Sequence, residues 1–84
     1  MSKYGKFRGR LCARPTPADI KWTELRSFLE HLGYQMLAGR GSRRKFFHEA
    51  KDALIICHEP HPRPTVDKGC IAYIVDHLKL HQLV

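Results

Sequence analysis

Apolar side chains recur along this chain with two different periods, and the change of period marks out the elements. Leu25, Phe28, Leu29 and Leu32 stand at i, i+3, i+4 and i+7, which predicts an amphipathic helix over residues 22–33. Ile20 and Trp22 precede the stripe and are placed to close its start as a hydrophobic staple. Glu24 in the first turn and His31 in the last suit the helix dipole, and Gly33 is the expected left-handed C-terminal cap, with Tyr34 folding back. From Tyr34 the period falls to that of a strand. Residues 34–38, 42–48 and 53–58 read as three strands, joined by the turn at Gly39-Arg40-Gly41 and by a hairpin connection at 49–52. Together they predict an antiparallel meander.

Pro60, Pro62 and Pro64 hold the next stretch extended and remove backbone donors. Asp67 is then a helix N-cap, and Ile71, Ile74, Val75 and Leu78 repeat the helical spacing. Leu80, Leu83 and Val84 form an apolar tail that packs back or meets a partner. The order is α-β-β-β-α: an α+β sandwich, a three-stranded antiparallel sheet with two helices on one face.

Residues 1–18 stand apart as a basic N-terminal extension to a domain at 19–84. They carry Lys3, Lys6, Arg8, Arg10 and Arg14 before the first acid, Asp19. Tyr4, Phe7, Leu11 and Cys12 would make one apolar stripe on a helix that Pro15 and Pro17 must end, while Gly5 and Gly9 weaken that helix. The stretch is either a short docking helix or a basic arm.

Composition narrows the function. Eighty-four residues fit one small domain of modest stability, and a 43% hydrophobic share requires a core. No apolar run approaches the roughly 18 residues of a membrane span, and the basic start at Lys3 and Lys6 lacks the apolar stretch of a secretory signal. Cys12, Cys57 and Cys70 are too few and too widely spaced for a disulfide framework and fit a reducing compartment, as small hydrophobes. An intracellular, cytoplasmic protein is expected. The net charge of +7 favours a polyanionic partner, nucleic acid before a membrane surface.

Strand two carries the densest charge. Alternation puts Arg43, Lys45 and Phe47 on one face and Arg44, Phe46 and His48 on the other, so a core-facing Phe46 leaves Arg43 and Lys45 outward. With Arg40 on the turn and Arg44 nearby, these cations offer forks for phosphate, and Phe47 offers a stacking surface for an unpaired base. The plainer reading is a solvated, aggregation-resistant edge; the like charge of residues 1–18 favours binding. Gly39-x-Gly41-Ser42 lacks the spacing of a phosphate loop and leads into a strand, so it reads as a hairpin turn.

His58 and His61, at the end of strand three and in the proline-held loop, are the acid–base candidates for metal-independent RNA cleavage, although pattern alone favours polar loop groups. His48 reads as exposed and idle. Neither Cys57, His58 and His61 nor the pair His77 and His81 supplies a zinc set, so no metal and no cofactor is expected.

Leu32-Gly33-Tyr34, then Gly39-Arg40-Gly41-Ser42, a basic hairpin, Pro60-His61-Pro62 and Asp67-Lys68-Gly69 resemble, in order and spacing, the HicA-type toxins of bacterial toxin–antitoxin pairs. The likeness covers roughly residues 20–78, and the segment around Arg14-Pro15-Thr16-Pro17 looks like an N-terminal extension found in one branch. The resemblance implies a fold like a double-stranded-RNA-binding domain, endoribonuclease activity on mRNA, and a HicB-type antitoxin that covers the active surface. Gly41, Ser42 and His61 carry over by position. The family's catalytic histidine follows the Gly-Ser pair, where this chain has Arg43-Arg44. Arginine stays protonated to about pH 12 and cannot be a general base. Either His61 or His58 has taken that role, or the chain is a non-catalytic RNA-binding module that keeps the fold.

Overall fold

The computed structural model describes residues 3–84; Met1 and Ser2 of the N-terminal extension lie outside the described residues. Six elements follow one another: α1 (Lys3–Leu11), α2 (Trp22–His31), β1 (Gln35–Ala38), β2 (Arg43–His48), β3 (Ala53–His58) and α3 (Lys68–Leu80). The strands form an antiparallel sheet in the order β1-β2-β3, with α2 and α3 against one face and α1 added on α2. The α-β-β-β-α core is the expected α+β fold.

Both longer helices form for local reasons. At the start of α2 the Lys21 N–H donates to Glu24 Oε1 at 3.2 Å, half of a capping box, and Ile20 and Trp22 are buried beside it. Gly33, at φ +109°, ends the helix and lets Tyr34 turn into the core. Asp67 caps α3 by accepting from the Cys70 N–H at 2.9 Å. Ile71, Ile74, Val75 and Leu78 then face the sheet, meeting Ile55 and Phe46 in a single core with Leu25, Phe28 and Leu29 of α2.

Residues 3–11 are a docking helix. Phe7 and Leu11 are buried in the common core; the Phe7 ring lies 5.1 Å from Phe28, and Tyr4 stacks on His31 at 4.1 Å. Burying a Phe or Leu side chain contributes about 1.5–3 kcal/mol, against about 1 kcal/mol lost at each helical glycine. The stripe outweighs Gly5 and Gly9. At the other end Leu83 and Val84 fold back on the core, the Leu83 N–H donating to the Leu78 carbonyl at 2.8 Å, while Leu80 stays exposed.

One expectation fails outright. His48 is not exposed: it is 8% accessible, with Nε2 2.9 Å from the Leu32 carbonyl and Nδ1 accepting the Lys51 N–H at 3.2 Å. Those partners select the tautomer protonated on Nε2 and make the ring a brace between β2 and the end of α2. Its inward position follows from the same alternation that buries Phe46.

Candidate RNA-binding face and acid–base groups

The face of the sheet turned away from the helices is built from cross-strand rows. Phe47 lies between Gln35 and Leu54, Lys45 between Leu37 and Ile56, and Arg43 beside His58. Leu37, Leu54 and Ile56 are 47%, 44% and 43% accessible, so the middle of this face is apolar around Lys45, while Arg40 and Arg43 lie at the β1–β2 turn. A uniformly cationic sheet surface, the simplest reading of strand two, is replaced by two zones. In strand three the run Leu54-Ile55-Ile56 hides the alternation of its two faces. Leu54 and Ile56 are exposed positions that sequence reasoning did not single out; strict alternation along Ala53–His58, with Ala53, Ile55 and Cys57 inward, places them on the open face.

The turn holds its shape through its own backbone. Gly39 N–H donates to the Arg43 carbonyl at 2.8 Å and Arg43 N–H to the Arg40 carbonyl at 3.0 Å. Gly41, at φ +56°, takes the left-handed position that favours glycine. Arg40, Gly41, Ser42 and Arg43 are exposed there; Lys45 and Phe47 are half-buried on the open face. Arg44 points the other way. Its Nη1 donates to the Gly41 carbonyl at 2.8 Å and the Arg43 carbonyl at 2.9 Å, and its Nη2 lies 3.2 Å from Glu59 Oε1. It straps the turn to the end of β3. Among the described residues, Arg40, Arg43, Lys45 and Arg63 have no carboxylate partner.

His58 projects from the open face beside Arg43, with Nδ1 3.2 Å from Ser42 Oγ. The Glu59 N–H donates to the Ser42 carbonyl at 2.7 Å, which extends the β2–β3 pairing past the strand and fixes the His58 backbone. His61 lies in the proline loop, where the His61–Pro62 peptide is cis. Backbone bonds tie that loop to the start of α2: Trp22 N–H to the Pro64 carbonyl at 2.9 Å, and Val66 N–H to the Ile20 carbonyl at 2.8 Å. His58 and His61 line one open groove with Arg63 and Asp67, and a second hollow joins His61 to Gly41 and Ser42. His58 therefore meets the turn directly through Ser42, and His61 meets it across a hollow that Glu59 and Pro60 also line.

Two other titratable clusters serve the core. Contact with Cys70 and burial push the Cys57 thiol up, which suits a packing group and not a nucleophile. Tyr34 Oη lies 2.7 Å from His77 Nε2. Burial, reinforced by Tyr73, raises the phenol to about 12, and burial with His81 beside it lowers His77. The phenol therefore donates and the neutral imidazole accepts. Among the described residues there is no group of three or more His, Cys, Asp or Glu side chains suited to a metal ion, and no helix is long and apolar enough to cross a membrane.

A small α-β-β-β-α domain with unpaired cations and two exposed imidazoles at one end of its sheet suits a polyanionic ligand. The family model described as the HicA toxin of bacterial toxin–antitoxin systems matches residues 22–83, most of the chain, and the chain belongs to that family. No curated protein and no solved structure matches it. The matched span begins at the first residue of α2, so α1 is added outside it.

Proposed function

We propose that this chain is the RNA-cleaving toxin of its pair, a cytoplasmic mRNA endoribonuclease that moves protons with its own side chains. The row Arg43–His58 carries the reading: an imidazole stands cross-strand from the position that the family resemblance gives to histidine, and Ser42 holds it at 3.2 Å. In the tautomer whose Nδ1–H donates to Ser42 Oγ, Nε2 keeps its lone pair. The ribose 2′-hydroxyl gives its proton to that nitrogen while the 2′-oxygen attacks the adjacent phosphorus. The bond from phosphorus to the 5′-oxygen breaks, and protonated His61 across the groove supplies the leaving oxygen with a proton. The products are a 2′,3′-cyclic phosphate and a 5′-hydroxyl. Arg43, with Arg40 and Lys45, holds the extra charge on phosphorus, Gly41 and Ser42 let the strand approach, and Phe47 stacks a base. Arg44 contributes by holding the turn.

The same geometry supports a HicB-type antitoxin as partner. A protein seated on Leu37, Leu54 and Ile56, with acidic groups toward Arg43 and Lys45, closes the sheet face and the site at its end together.

Incubation of labelled RNA with the protein in EDTA tests the reaction. Cutting that survives EDTA, leaves cyclic-phosphate ends and falls about 10²–10⁴-fold in His58→Ala is expected. RNA that is bound yet stays intact from about pH 5 to 9 overturns catalysis. That outcome leaves the binding-only module, which Arg43 at the family's histidine position favours.

A further inference from the structure

A broad concavity lies away from the open sheet face, between α1 and α2. Lys3, Lys6 and Arg10 run down one wall at i, i+3 and i+7, so about one cation appears per helical turn. Thr23, Glu24 and Ser27 of α2 form the other wall, with Tyr4 and Phe7 between. Glu24 is already neutralised: Arg10 Nη1 lies 2.9 Å from its Oε2, and that pairing holds the carboxylate below its ordinary range. Lys3 and Lys6 have no carboxylate partner among the described residues. The groove has an apolar floor at Tyr4 and Phe7, and its charge comes from the cations along the α1 wall. Cations with no carboxylate partner, spaced about one helical turn apart, match the repeating charge of a polyanion.

We propose that the α1–α2 groove is a second RNA-binding surface, which grips the sugar–phosphate backbone of the RNA engaged at the sheet. The proposal rests on the RNA-acting reading and adds to it a substrate long enough to pass round the body, whose thinnest dimension is 21 Å. Lys3 and Lys6 provide the grip, and Arg10 keeps Glu24 from repelling the strand.

The test compares the full-length protein with K3Q/K6Q and with K68Q/K79Q, which removes the same charge from α3. Binding of labelled single-stranded RNA is measured across a salt series, with melting temperatures as a check on folding. The expected result is a several-fold loss of affinity in K3Q/K6Q at unchanged melting temperature. The salt slope becomes shallower by about 0.7 for each phosphate no longer neutralised, and K68Q/K79Q changes less. Equal loss in both variants, or none in K3Q/K6Q, overturns the proposal while wild-type RNA binding stands. Full RNA affinity in K3Q/K6Q with loss of polyglutamate binding overturns it in favour of an acidic protein. Wild-type protein that binds no RNA overturns the RNA-acting reading itself.

Discussion

His48 Nε2 sits 2.9 Å from the Leu32 carbonyl, and the space it uses exists because residue 33 has no side chain: a Cβ on Gly33 would lie 2.7 Å from that nitrogen. The brace and the glycine are one device. His48→Ala leaves the Leu32 carbonyl and Lys51 N–H without their partner and is expected to destabilise the fold by about 1–3 kcal/mol. Gly33→Ala combines the steric clash with φ +109° and should cost at least as much. Urea unfolding of both variants measures this, and midpoints equal to wild type would refute it.

Adjacent arginines are expected to behave oppositely. Arg44→Ala frees the turn from Glu59 and removes two bonds to backbone carbonyls, lowering stability by about 1–2 kcal/mol. Arg43→Ala leaves stability within about 0.5 kcal/mol and weakens RNA binding. Thermal melts beside RNA titrations separate the two, and equal effects on both readouts would contradict the assignment.

The apolar zone predicts a separation of stability from partnership. Ile56→Glu replaces a side chain that is 43% accessible, so the melting temperature should hardly move. Affinity for the proposed HicB-type antitoxin should fall by at least about tenfold, the loss expected at the centre of an interface. Calorimetry on the purified pair reads this out, and unimpaired binding places the partner elsewhere.

His77 predicts the direction of one pH effect. Burial and His81 lower its folded-state pKa below the ordinary 6.5, so the unfolded chain takes up a proton more readily. The stability it contributes is fully present above about pH 6.5 and is lost as pH falls toward the folded value. Wild-type melting temperature should decline over that range, and His77→Gln should decline less. Parallel curves would show that other groups govern the acid limb.

Helices α2 and α3 and the three strands were legible because each repeats an apolar spacing for at least one full turn or pleat. Gly33 and Asp67 were legible because terminal backbone groups demand such residues. His48 and Arg44 were harder, since residue type points to the surface while alternation points inward, and only the close packing of Leu32, Gly33 and Glu59 decides between them. The juxtaposition of Ser42 with His58 depends on strand register across sixteen positions, which no local pattern carries. The apolar centre of the sheet was masked because three consecutive aliphatic residues, Leu54 to Ile56, look alike on both faces.

Tyr4 and Phe7 both lie against Phe28, with ring centres 6.4 and 5.1 Å away. A recombinant fragment trimmed to residues 22–83, the span of the family match, would strip that cover and leave a greasy hollow on its first helix. Such a fragment would clump or recruit bystanders, and toxicity or inertness scored with it would describe the cut and not the natural molecule.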